Sequence, residues 1–365
     1  MTQEAHNGRF QTGSARRRAA AKAAFASVQD QPFPNDIFTA PELRWAVIGC
    51  GVIANQMAQS FALAGRKLAG VANRTLSKAQ AFAEQYGVEK VYDTVEDLYA
   101  DPNIDAVYIT TPHNTHITYL RSALAAGKHV LCEKAITLNS AELDEARAIA
   151  DEHNVVLMDA TTVLHMPLYQ ELRRRMDAGE FGHMNLAQLN FGSYKEYGDL
   201  TNRFYNRNLA GGAMLDIGVY ALSIMRLFMA SQPVEVVSLG NTCETGVDVA
   251  GGIVCRNADQ QLGVVSLTLH SKQPKRSVIS FDKCYIEVNE YPRADHATIV
   301  WTADGHREEV HAGTEAYALC YEMADLEKAV AGDDSKRELL DYASDVMELM
   351  TKLRADWGVV YPEEE

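Results

Sequence analysis

The chain has 365 residues, with 34 basic against 49 acidic side chains and a formal charge of −15. That length favours two domains, and 47% hydrophobic with 23% charged residues excludes disorder along the whole chain. The acidity argues against a nucleic-acid surface, and no apolar run approaches the roughly 18 residues of a membrane span.

Residues 1–40 read as a polar N-terminal arm. Arg16, Arg17 and Arg18 precede an alanine-rich stretch that Lys22 interrupts, unlike the apolar segment of an export signal. A short surface helix or an arm reaching a partner subunit is expected. Cys50, Cys132, Cys243, Cys255, Cys284 and Cys320 are scattered without metal-ligand spacing, so they read as reduced thiols of a cytoplasmic protein.

From Leu43 the pattern turns regular. Apolar runs (LRWAVIGCG, KLAGVAN, KVYDT, DAVYITTP, KHVLCEK, VVLMDAT) alternate with helical stretches (VIANQMAQSFALAG, SKAQAFAEQYG, VEDLYAD, THITYLRSALAAG, SAELDEARAIADEHN). Alternation of this kind predicts βαβ units and a doubly wound parallel sheet over 41–162, with strands apolar on both faces because helices cover both. Near Thr162 the rhythm changes. Helix PLYQELRRRMDAG leads into alternating segments NLAQLNFGSY, VEVVSLGNT, GGIVCRN, LGVVSLTLH, RSVISF, CYIEVN and ATIVWTA, then two helical stretches. Residues 163–365 are therefore expected to form an α/β domain with a large, open, mostly antiparallel sheet.

Gly49-Cys50-Gly51-Val52-Ile53-Ala54 spells GxGxxA at the end of a strand and the start of a helix, the context that makes this pattern a dinucleotide fingerprint. Gly49 allows the tight turn, Gly51 lets backbone approach a diphosphate, and Ala54 permits close helix–strand packing. The helix start at Val52 and Ile53 offers free N–H groups and a positive dipole end. An NAD site usually places an acid about 20 residues on. Here Asn73, Arg74 and Lys78 stand at that tip. An arginine fork pairs with a 2′-phosphate, so NADP is favoured, with NAD the alternative.

Ligands of such sheets bind outside the carboxyl ends of the strands. That rim includes Thr111, Pro112, His113, Asn114 and His116 after one strand, and Glu133-Lys134 after the next. His113 and His116 lack a third ligand at a plausible spacing, so no metal is expected. A lysine at the position of Lys134 can hold a developing alkoxide. Farther on, GGAMLDIGVY enters a helix carrying Asp216 and Tyr220 four residues apart on one face. A buried carboxylate needs a partner, for which a lysine serves, and a tyrosine hydroxyl can exchange a substrate proton.

These residues resemble the glucose–fructose oxidoreductase / inositol dehydrogenase / rhizopine-catabolism (Gfo/Idh/MocA) family. The matching segments are AVIGCGVIA, DAVYITTPHNTHITYLRSALAAGKHVLCEKA, NRNLAGGAMLDIGVYAL and DWGVVYP, spread over roughly residues 43–360. DIGxY places the chain nearest the glucose–fructose oxidoreductase and dihydrodiol dehydrogenase branch. The resemblance implies hydride transfer at nicotinamide C4 and homodimers or homotetramers built through the open sheet. It implies a catalytic group of Lys134, Asp216 and Tyr220: Tyr220 exchanges the proton, Lys134 polarises the oxygen and Asp216 orients the pair. It also implies that Thr111, Pro112, His113, Asn114 and His116 line the nicotinamide half of the cofactor. Ala135 stands where the family has proline, and Leu164 where relatives often carry arginine. Arg203, Asn206 and Arg207 are then the candidates for touching substrate or cofactor, or for holding the glycine loop.

The leading expectation is an NAD(P)-dependent oxidoreductase acting on a sugar, cyclitol or diol. Two other classes remain open: an enzyme that cleaves glycosides through transient oxidation by a held NAD, and a non-catalytic dinucleotide sensor.

Overall fold

The computed structural model describes Ala26, Val28 and residues 31–365. Arg16, Arg17, Arg18 and Lys22 lie outside these residues. The end of the expected arm belongs to the body. Val28 and Ile37 are buried beside Tyr317, Cys320 and Ala324, and the Arg66 guanidinium lies 3.7 Å from the centroid of the Phe38 ring.

The first sheet is formed by β1 (Trp45–Ile48), β2 (Gly70–Ala72), β3 (Lys90–Tyr92), β4 (Ala106–Ile109), β5 (His129–Cys132) and β6 (Leu157–Asp159). Its order is β3-β2-β1-β4-β5-β6, parallel throughout. The connecting helices are α1 (Val52–Leu63), α2 (Leu76–Tyr86), α3 (Val95–Ala100), α4 (His116–Ala125) and α5 (Ser140–Glu152). Every residue of β1 and β4 is buried, as expected for strands covered on both faces. The order reverses between β1 and β4, the switch point where such sheets bind ligands. Register then sets the rim: Ile48 pairs with Ile109, Ile109 with Cys132, and Cys132 with Asp159. Gly49, Thr110 and Glu133 each follow one of these partners, so they line one edge.

The second sheet has the order β14-β13-β12-β11-β7-β10-β9-β8. Its strands are β7 (Met184–Gly192), β8 (Pro233–Thr242), β9 (Asp248–Asn257), β10 (Leu262–Thr268), β11 (Gln273–Phe281), β12 (Cys284–Asn289), β13 (His296–Trp301) and β14 (Arg307–His311). All pairings are antiparallel except β7 with β10. Helix α6 (Pro167–Asp177) precedes it, and α7 (Val219–Phe228) packs on β7 and β10. The other face leaves Val234, Val237, Leu239 and Val254 exposed. Strand β14 was not anticipated. Its sequence REEVH carries charge where apolar alternation is sought, and charge suits an edge strand that must not pair further.

Two expectations need correction. The division at 162/163 assigns the last helices to the second domain, yet α8 (Ala318–Val330) packs Leu319, Met323, Leu326 and Ala329 into the first-domain core beside Trp45, Val47 and Met57. Helix periodicity shows an apolar stripe but not which sheet receives it. The expectation that no apolar segment reaches span length also fails. An 18-residue window within Arg207–Phe228 has mean hydropathy 1.3 and is 83% buried inside the molecule. That apolarity serves the core, since a helix buried all round needs no polar face.

Candidate active site

At the phosphate end the chain offers backbone. Gly49 has φ +100°, and a Cβ there would stand 2.7 Å from Thr110 Oγ1. Glycine alone takes this turn without strain. A Cβ on Gly51 would meet nothing within 4 Å, so open space lies above the loop. Helix α1 begins there with no side-chain cap and no acid in its first turn. Uncapped N–H groups and the dipole suit a diphosphate, so the residues present fit a dinucleotide. Asn73 donates to the Thr75 carbonyl at 2.9 Å, which shapes the β2 tip. Arg74 and Lys78 are exposed there.

At the other end the two domains meet in one constellation. Lys134 Nζ donates to the Asp216 carbonyl at 2.6 Å and lies 3.3 Å from Asp216 Oδ1. The same nitrogen sits 4.8 Å from the centroid of the Tyr220 ring. The Lys134 and Asp216 side chains are only 11% and 5% exposed, so their attraction is weakly screened by water. Burial pushes the Tyr220 phenol above its ordinary value while Lys134 opposes that rise, leaving a neutral hydroxyl at physiological pH. Phe191 backs this ring at 6.0 Å. The bond joining Lys134 to Ala135 is cis.

Asp216 does not sit on a regular α-helix. Residues Met214–Gly218 form a π turn that runs into α7, a geometry frequent at functional sites. A Cβ on Gly218 would press on Met214 Sδ at 2.9 Å and Leu267 Cδ1 at 3.0 Å, so a larger residue there needs these side chains to shift. The spacing of four still works, because both residues meet the same amine.

The remaining expected residues divide. Arg203 reaches Asp216 Oδ1 at 3.3 Å and keeps its side chain 55% exposed, so it borders the site. Asn206 and Arg207 do not reach it. The Asn206 side chain accepts from Asn208 N, while Arg207 Nε donates to the Val360 carbonyl at 2.7 Å and its guanidinium pairs with Glu365. Both hold the loop, the second of the two roles expected for them. His113 is buried beside Ala210, and burial with the nearby Lys134 charge pushes its imidazole down to about 3, so it is neutral. His116 is fully buried. Its nitrogens face the carbonyls of Thr111, Ala135 and Ile136 at 2.9, 3.0 and 3.3 Å, so it braces the Lys134 turn rather than lining a cofactor. Asn114 donates to the Asn208 carbonyl and to Glu363, tying this loop to the second domain. No group of three His, Cys, Asp or Glu side chains clusters to hold a metal among the described residues.

Sequence reasoning missed the supports. Fully buried Asp248 accepts Met214 N at 2.6 Å, and the Tyr361 hydroxyl donates to the Gly211 carbonyl at 2.7 Å. Together they pin the glycine loop that leads to Asp216. The closing DWGVVYP carried a signal for Tyr361; Asp248 lay between two expected strand segments, in a stretch given no role. Arg293, from the turn Tyr291–Arg293, donates to Gln56 on α1 at 3.2 Å and bridges the domains near Glu133 and Tyr220.

A fingerprint loop, an open diphosphate cradle and an amine facing a phenol and a carboxylate define a dinucleotide-dependent oxidoreductase. Comparison with known proteins agrees. The oxidoreductase family model with an NAD-binding Rossmann fold, Gfo/Idh/MocA, matches residues 43–161, and the C-terminal domain model of that family matches 169–287. The chain belongs to the Gfo/Idh/MocA oxidoreductase family. It is 32% identical over 254 residues to trans-1,2-dihydrobenzene-1,2-diol dehydrogenase of Mus musculus, covering 68% of this chain and 75% of that one. The Sus scrofa enzyme of the same name is 28% identical over 340 residues, covering 88% and 99%. Among solved structures, a 3-ketoreductase from Actinomadura kijaniata with NADP and TDP-benzene has TM-score 0.74 at 23% identity, covering 86% and 98%. An aldose–aldose oxidoreductase from Caulobacter crescentus has TM-score 0.76 at 21% identity, covering 87% and 98%.

Proposed function

We propose that the protein transfers hydride between the nicotinamide of NADP and a hydroxyl-bearing or carbonyl carbon of a sugar, cyclitol or diol. The observation that carries this is Lys134 Nζ held between Asp216 and the Tyr220 ring by elements of different domains. Bound nicotinamide supplies the hydride donor or acceptor. In the reducing direction the Tyr220 hydroxyl gives its proton to the substrate carbonyl oxygen, and Lys134 Nζ steadies the oxygen as it gains negative charge. Asp216 fixes Lys134 so that the amine needs no reorganisation. In the oxidising direction the hydroxyl proton returns to the Tyr220 oxygen. Arg74 at the β2 tip supports the choice of NADP, as does NADP in the Actinomadura structure. The names of the relatives in diol and sugar chemistry support the substrate class. The exposed apolar face of β8 and β9 supports a homodimer or homotetramer through the open sheet. All six cysteines are free thiols, which supports a cytoplasmic site.

A panel of dihydrodiols, inositols and sugars with NADP and NAD, read by nicotinamide absorbance, tests this reading. Net reduction with at least one polyol, faster with NADP, is expected. Glycoside cleavage without net reduction, or dinucleotide binding without turnover of any compound, overturns it.

A further inference from the structure

Behind Lys134 lies a buried acid pair that the hydride step does not use. Tyr108 on β4 is fully buried, and its hydroxyl faces two carboxylates. It donates to Glu133 Oε1 and lies 3.5 Å from Glu322 Oε2. Glu322, on α8, is 1% exposed, whereas Glu133 directly follows β5 at the crevice beside Lys134 and retains some exposure. A tyrosine has one proton to give and lone pairs to accept with. That proton is committed to Glu133. Glu322 can then meet the tyrosine oxygen favourably only by donating a proton of its own. The satisfied arrangement runs from protonated Glu322 to the Tyr108 oxygen, and from the Tyr108 hydroxyl to ionised Glu133.

We propose that Glu133 and Glu322 share one proton through Tyr108 when no cofactor is bound, and that this proton leaves when oxidised nicotinamide, which carries a positive charge, settles beside Glu133. Reduced nicotinamide is neutral and gives the pair no reason to ionise. The site thereby discriminates between the two cofactor forms according to pH. The inference rests on the reading that the crevice at Glu133 and Lys134 receives the nicotinamide. The proton passes from Glu322 to solvent, and no electron moves.

Burial pushes Glu322 up to about 8, with the Glu133 charge adding to the rise. Burial also raises Glu133, against the Tyr108 hydrogen bond and the Lys134 and Arg293 charges. His165 and Arg293 oppose the rise at Glu322. Asp159, pushed up to about 7 chiefly by burial, faces Glu133 from the end of β6. The thiols of Cys132 on β5 and Cys320 on α8 also face these carboxylates, and burial keeps both protonated.

The test measures Kd of the whole protein for NADP and for NADPH by fluorescence titration between about pH 6 and about pH 9. For one linked proton, affinity for the oxidised form rises up to about tenfold per pH unit until Glu322 titrates. The reduced form lacks this rise. Titration of the 2′-phosphate, near pH 6, is common to both forms and cancels in their ratio. At about pH 7.5, above the titration of the 2′-phosphate, calorimetry in two buffers of different ionisation enthalpy shows a proton released with the oxidised form alone. Glu322→Gln keeps a donor for the Tyr108 oxygen but cannot ionise, so its ratio loses the rise toward about pH 8. A ratio independent of pH in the wild-type protein overturns the inference while the proposed function stands, and needs no variant to fold. Failure to bind either form removes the functional reading, and this inference with it.

Discussion

The two ends of the crevice recognise by opposite means. At the phosphate end the contacts on offer are backbone, from an uncapped helix start and a glycine with open space above it, joined by the exposed side chains of Arg74 and Lys78 at the neighbouring strand tip. At the reacting end they are side chains withdrawn from water, with Lys134 and Asp216 barely exposed and Glu322 and His116 sealed. Binding a diphosphate needs many weak, well-aimed dipoles and tolerates solvent. Steering a proton needs few groups with their charges fixed, which burial and pairing supply.

Breaking the reacting end has the largest expected effect. Lys134→Ala and Tyr220→Phe each lower kcat by about a hundred- to ten-thousandfold, while equilibrium titration shows dinucleotide affinity little changed. If both variants lose binding instead of turnover, the contrast between the ends is gone. Arg74→Ala sharpens the contrast from the phosphate side. Losing a charged hydrogen bond costs about 1.5–3 kcal/mol, so affinity for NADP falls and affinity for NAD does not, as parallel Kd measurements show. Gly49→Ala forces a side chain into φ +100° and toward Thr110 Oγ1. Strained backbone of this kind costs about 1–3 kcal/mol, visible as a lowered melting temperature together with weakened cofactor binding.

The smallest effect is on the pH dependence of stability. Burial holds protons on Glu322 up to about 8 and on Asp159 up to about 7, whereas the unfolded chain releases them at ordinary carboxylate values. The folded state therefore binds more protons, and stability falls as pH climbs through these values. His165 acts with the same sign. Burial lowers its affinity for a proton, but the hydrogen bond and charge of Asp325 outweigh that and raise it. Its stabilisation is complete below the ordinary imidazole value and is lost as pH rises through the raised one. Melting temperature is expected to decline from about pH 6 to about pH 8.5, less steeply in Glu322→Gln.

Much of the site could be read before any coordinates. GxGxxA, the Glu133-Lys134 pair and DIGVY are local signals, each fixed by a turn or a helix start, and all three reach the crevice. Asn206 and Arg207 show the limit. Their types suit anion or sugar contact, but one caps a turn and the other holds the chain's end. His116 likewise spends its nitrogens on carbonyls. Which polar atom a side chain satisfies depends on neighbours from distant segments.

The amino-acid sequence by itself determined the alternation of strand and helix, the phosphate loop, the absence of an acid at the β2 tip and the family, because these depend on near neighbours along the chain. Only the tertiary structure decided that α8 covers the first sheet, that Asp248 and Tyr361 pin the glycine loop, and that Glu322 meets Glu133 across Tyr108. Glu133 and Glu322 are far apart in the chain, and burial, which gives the pair its chemistry, belongs to the packed molecule and not to either residue.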